Sequence, residues 1–127
     1  MDVNKLARYE LELMDVLWKI GEGTVQDVQS HLERDLAYTT VMTTLSLLEK
    51  KKKVLSRTKV GQAYLYHPVI SREEVSRDMV GELRDLLFSG STGELMLNLV
   101  NSGDLKSDEI NALKSALSQL ESKSSAE

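Results

Sequence analysis

Apolar residues recur at helical spacing near the start of the chain. Leu11, Leu13, Met14, Leu17, Trp18 and Ile20 stripe the segment Glu10 to Ile20, which predicts a helix with one buried face. Gly21-Glu22-Gly23 stops it. Thr24, with Asp27 three residues on, has the pattern of an N-cap. Val25, Val28 and Leu32 then form the inner stripe of a short second helix. Glu33 to Ala37 lead as a loop into a third, in which Val41, Leu45 and Leu48 face the core at i, i+4 and i+7. After Lys50-Lys51-Lys52-Lys53 the period changes. Residues 54 to 58 and 62 to 66 are β-prone, with Lys59 to Gly61 as their turn and Gly61 able to take φ > 0. Pro68 ends the second strand because it has no N–H for the ladder.

The C-terminal half has no strand signal. Ser71-Arg72-Glu73-Glu74 is a capping box opening a helix through Phe88. Ser89 to Gly93 break it, and Glu94 to Val100 form a short, strongly apolar helix. Asn101 to Asp104 break again before a last helix carrying Ile110, Leu113, Leu117 and Leu120. Residues 122 to 127 have the composition of a frayed tail. At roughly 1.5 to 3 kcal/mol per large side chain buried, three short helices so rich in leucine gain from a second copy of the chain. Leu95, Met96, Leu99, Val100, Ile110, Leu113 and Leu117 are the expected contacts. Three helices followed by a hairpin are the order of a winged helix-turn-helix. The fold class expected is mainly α (α+β). A winged-helix domain spans residues 1–70, with a two-stranded wing; dimerisation helices span 71–121, and a tail 122–127.

Composition sharpens this picture. The 127 residues carry a formal net charge of −4, which by itself argues against binding nucleic acid. The distribution argues otherwise, because residues 36 to 72 hold seven bases and one acid. A local positive field matters more for phosphate attraction than the total. Without cysteine there are no disulfides and no thiolate metal sites or nucleophiles. No apolar run approaches the ~20 residues that span a bilayer, and Met-Asp-Val-Asn-Lys is not a signal peptide; a cytoplasmic protein with no membrane partner is expected. His31 and His67 lie in different elements, and there is no phosphate loop or nucleophile elbow. No enzyme, metal site or cofactor is expected.

The third helix concentrates the candidate chemistry. Thr39, Thr40, Thr43 and Thr44 are expected on its exposed face. Threonine is a mediocre helix former, but its hydroxyl and methyl suit phosphates and base edges together. The start of a helix also offers free N–H groups and a positive dipole end. Tyr38 stands at that start, able to pack on a sugar-phosphate backbone or simply to begin the helix. Arg57 and Lys59 flank the wing turn, where they reach phosphates; charge protecting an edge strand is the alternative.

Several segments together resemble the bacterial penicillinase-repressor (BlaI/MecI) family over about residues 6 to 120. They are Glu10-Leu11-Glu12, Met14 to Trp18, Gly21 to Val25, Leu36 to Val41, Leu48 to Lys51, and Tyr64-Leu65-Tyr66-His67-Pro68. The resemblance implies a homodimeric transcriptional repressor whose winged helices bind the halves of a palindromic operator. Thr40 matches the position most often threonine in that family. It also implies control by a regulatory protease, with Asn98-Leu99 in the place of the Asn-Phe bond cut in resistance repressors. The chain departs from the family at Leu47, where arginine is common, and at Lys52, where glycine is usual and a left-handed lysine would cost about 1 kcal/mol. A winged-helix protein-interaction module and an architectural DNA binder without sequence preference are the competing readings.

Overall fold

The structure, a computed structural model, describes residues 5–126. The first four residues, including most of the stretch inspected for a targeting signal, lie outside the described residues. The order of elements is α1 (Arg8–Ile20), α2 (Val25–His31), α3 (Tyr38–Lys50), β1 (Leu55–Val60), β2 (Ala63–Pro68), α4 (Arg72–Leu87), α5 (Thr92–Asn101) and α6 (Ser107–Ala126). The chain divides into two compact units, Met1–Glu82 and Leu83–Glu127. The division falls inside α4 rather than at residue 70, because Val75 is buried and Met79 packs against the N-terminal core.

The N-terminal unit is a three-helix cluster closed by a hairpin. Leu13, Met14 and Leu17 of α1, Val28 of α2, and Val41, Leu45 and Leu48 of α3 are completely buried together. Truncating one of these leucines or Met14 to alanine typically costs about 2–5 kcal/mol. Val16 joins this core although it lies off the expected stripe, and Ile20 is exposed instead. Trp18 is partly buried, and its indole N–H donates to the Ile70 carbonyl at 2.9 Å. Arg72 sits 4.9 Å from the Trp18 ring centroid and also pairs with Asp15 of α1. The hydrogen bonds from Arg72, then from Lys19, hold the Asp15 carboxyl below the usual carboxylate range. The start of α4 is thereby tied to α1.

α2 begins as expected. The Asp27 N–H donates to the Thr24 hydroxyl at 3.1 Å, and the Thr24 N–H donates to the Asp27 carboxylate at 2.9 Å. These bonds to Thr24 hold Asp27 below its ordinary range. Just upstream, Gly23 exchanges two backbone hydrogen bonds with Tyr66, at 2.8 and 3.0 Å, pinning the α1–α2 turn to the wing. A Cβ at Gly23 would stand 2.9 Å from the tip of the exposed Ile20 side chain and 3.1 Å from the Asp27 Cβ, so a larger residue would have to shift both.

The hairpin is antiparallel, with Leu55 opposite Pro68 and Val60 opposite Ala63. Its turn is Gly61-Gln62, shorter than the expected Lys59 to Gly61, because Lys59 and Val60 continue the first strand. Gly61 has φ +63, and a glycine first in a two-residue turn matches the twist of the strands it joins. At the end of α3 the expected strain is displaced by one position: Lys53, at φ 58, takes the left-handed conformation, not Lys52. The Lys52 amide still donates to the Leu47 carbonyl at 3.1 Å, so the chain leaves helical geometry only after it.

The C-terminal unit is helical. Ser91 caps α5 by accepting from the Glu94 N–H at 3.1 Å. α6 runs through Ala126, so the residues expected to fray continue the helix. Among the large apolar side chains of α5, only Leu95 is buried, at 6% exposure. No helix of the described residues is long and apolar enough to cross a membrane.

Lys53→Gly should stabilise the chain by up to about 1 kcal/mol, since glycine adopts this conformation without the Cβ penalty. A urea unfolding curve with an unchanged or lowered midpoint would contradict that.

Candidate nucleic-acid interface

α3 sits with one side in the core and the other facing outward. Burial of Val41, Leu45 and Leu48 fixes its rotation, and the helical repeat then decides which residues face water. Thr39, Thr40 and Thr43 are exposed, as is Tyr38. Thr44 does not share their face. It is buried, and its hydroxyl donates to the Thr40 carbonyl at 2.8 Å. The correction follows from spacing: position 44 lies three residues from Val41 and four from Leu48, on the core stripe. A hydroxyl there is tolerated because it bonds back into its own helix.

The first turn of α3 is open to a ligand. Its N-cap is Ala37, which supplies no side-chain cap, and the turn carries no acid. α2 and α5, by contrast, are capped by Thr24 and Ser91. Uncapped N–H groups and the positive end of the helix dipole are suited to a phosphate.

Between α3 and the hairpin runs a groove of about 630 Å³. Tyr38, Met42, Leu47 and Tyr64 make much of its apolar lining, while Lys50, Lys51 and Arg57 supply cations. Arg57, Lys59, Tyr64 and Tyr66 share one face of the hairpin, since Arg57 pairs with Tyr66 and Lys59 with Tyr64. The Arg57 guanidinium stacks 4.0 Å from the Tyr64 ring centroid, and the Lys59 ammonium lies 6.0 Å from the same ring. A hydrogen bond with Tyr66, reinforced by nearby Glu49, raises the Arg57 pKa above its ordinary value. The guanidinium is thus a permanent, positioned charge.

The structure brings Tyr38, Thr43 and Arg57 to one groove. Thr39 and Thr40 stand exposed on the first turn of α3, and Lys59 is exposed beyond the groove on the wing. The sequence reading missed Met42, Ser46 and Lys50, which also line the groove. Their signal was available: with Tyr38 they recur every four residues, one continuous row along a helix. The lysine run is divided. Lys50 and Lys51 face the groove, whereas Lys52 donates to the Lys5 carbonyl at 3.0 Å and lies 3.8 Å from the buried Glu10 carboxylate. Lys52 therefore secures the N-terminal segment. Among the described residues, no group of three or more His, Asp or Glu is placed to hold a metal ion.

In the C-terminal unit, Met96, Leu97, Leu99 and Val100 of α5 and Ile110, Leu117 and Leu120 of α6 are exposed. Val100, Ile110, Leu113 and Leu117 line an apolar groove of about 340 Å³. Leu95 is already covered within one chain, so it does not offer a contact surface as the others do.

The family model described as "Penicillinase repressor" matches residues 6–119. The transcriptional regulator BlaI of Mycobacterium tuberculosis is 40% identical over 123 residues, covering 94% of this chain and 87% of that protein. The penicillinase repressor of Bacillus licheniformis is 25% identical over 119 residues, covering 92% of each. Among solved structures, the solution structure of the DNA-binding domain of the repressor BlaI matches with TM-score 0.51 and 28% identity. The match covers 57% of this chain and 89% of that one. The observed order of three helices and a hairpin, followed by further helices, is thus an N-terminal winged helix-turn-helix with C-terminal helices.

The two threonines that the helix repeat separates should behave oppositely. Thr44→Ala should lose about 1–2 kcal/mol of stability and leave duplex affinity unchanged once folded. Thr43→Ala should do the reverse. Thermal melts and fluorescence anisotropy on both variants decide the assignment.

Proposed function

Because the chain belongs to the penicillinase repressor family, a family of transcriptional regulators and not of enzymes, we propose that it is a homodimeric repressor of a palindromic DNA operator. The observation that carries the reading is the juxtaposition in the N-terminal unit. An uncapped helix start bearing Thr39, Thr40 and Thr43 adjoins a groove edged by Lys50, Lys51 and Arg57. In this reading the first turn of α3 enters the major groove of the DNA. Thr40 and Thr43 read base edges there, and amides of the turn meet a phosphate. Tyr38, Met42 and Tyr64 pack on sugar C–H surfaces, and Lys50, Lys51, Arg57 and Lys59 neutralise phosphates on either side.

Dimerisation supplies the affinity. One winged helix makes few base contacts. A second, joined through α5 and α6, makes occupation of the other half-site effectively intramolecular. The apolar residues exposed on α5 and α6 support the second copy as their cover, since an apolar patch of this kind marks an interaction surface. Loss of the dimer then empties the operator. Asn98-Leu99 lies within α5 rather than in a loop. Proteolytic release at that bond requires α5 to open locally first, because proteases act on extended backbone rather than helix.

Two variants test the halves of the proposal. Thr40→Ala should weaken binding to the palindrome by about tenfold, the scale of one lost base contact, with a smaller loss on scrambled DNA. Equal losses on both would remove Thr40 from base readout. Leu99→Asp should give folded monomers with little operator affinity, and sedimentation of an intact dimer would end the proposed interface. In both, wild-type binding should fall log-linearly with salt; a flat response would favour a protein-interaction module.

A further inference from the structure

Glu49 is the single acid between residues 36 and 72, and it is placed against local preference. It sits in the last turn of α3, where the helix dipole disfavours an anion. One of its carboxylate oxygens is shielded from water and accepts no hydrogen bond among the described residues. That oxygen lies 3.4 Å from the Arg57 Nε. Arg57 is in turn stacked on Tyr64 at 4.0 Å, inside the groove. The contact is thus an ion pair without an aligned hydrogen bond, between a carboxylate with poor local support and the best-positioned cation of the wing.

We infer that Glu49 is a built-in stand-in for a phosphate. It holds the Arg57 guanidinium in place and partly cancels its charge in the free protein, so that Arg57 contributes to binding only where a well-seated duplex competes for it. Glu49 is then a positioning residue acting through Arg57, and its effect is specificity: it suppresses attraction to arbitrary DNA. The pair is suited to exchange, because a phosphate can offer a guanidinium the aligned, bidentate bonds that Glu49 does not. The inference rests on the DNA-binding reading above.

The test is a salt titration of the full-length chain on a random-sequence duplex, by fluorescence anisotropy, with thermal melts confirming that each variant folds. Glu49→Gln should bind about threefold tighter at low salt and steepen the log–log salt slope by about 0.9, the increment of one added phosphate contact. Glu49→Asp, which keeps the charge, should retain the wild-type slope. In an Arg57→Ala background, Glu49→Gln should change neither quantity. An unchanged slope in Glu49→Gln, with wild type still binding, would overturn the inference. So would the same gain without Arg57, which would mean diffuse charge removal. A wild-type chain that binds no duplex at all would instead overturn the DNA-binding reading beneath it.

Discussion

Everything on the outer face of α3 and the wing follows from how α3 is seated. Val41, Leu45 and Leu48 are fully buried against α1, α2 and the hairpin, and a dense core leaves the helix no freedom to rotate. With 3.6 residues per turn, burying that stripe forces Thr39, Thr40 and Thr43 outward and takes Thr44 inward. The same seating sets the row Tyr38, Met42, Ser46 and Lys50 along the groove. The wing is held to this frame by the paired backbone hydrogen bonds between Gly23 and Tyr66, so helix and hairpin present one rigid surface. A surface ordered in advance loses less entropy when it binds a partner.

Charge is sorted by the same frame. A chain of net charge −4 would repel DNA if its charges were evenly spread. Instead the acids of α1 bind cations away from the groove: Glu10 lies near Lys52, Glu12 pairs with Arg34 at 3.0 Å, and Asp15 pairs with Lys19 at 3.0 Å and with Arg72. Apart from that of the buried Glu10, these pairs are open to water and add little stability. Their consequence is positional, since they leave Lys50, Lys51 and the wing to define the positive field. Glu49 is the one acid set into that field, which is why its contact with Arg57 bears on binding rather than on folding alone.

The C-terminal unit obeys a different constraint. It holds Leu95 as a buried anchor, while Leu99, for one, is 57% exposed. A unit that exposes this much apolar surface gains stability from association, and association is governed by concentration.

Much of this was legible in the residues. Periodicity located α1, α2, α3 and α6, because burial of one stripe is written into the spacing of leucines and valines, while a capping box marked α4 and flanking breaks bounded α5. Thr24 with Asp27 marked the start of α2, and Gly61 marked the wing turn, because caps and turns are chemistry between near neighbours in the chain. The excess of bases between residues 36 and 72 was likewise plain from the sequence. The inward place of Thr44 was already implicit in the spacing of Val41, Leu45 and Leu48. Tertiary packing decided the rest. The left-handed residue became Lys53 rather than Lys52 because the amide of Lys52 completes a bond to Leu47. The division of the chain inside α4 depended on Val75 finding the core. The meeting of Glu49 with Arg57 joins residues of different elements, and no local rule relates them. Near-neighbour physics is encoded along the chain, whereas contacts across elements exist only once the core has fixed how the elements are turned.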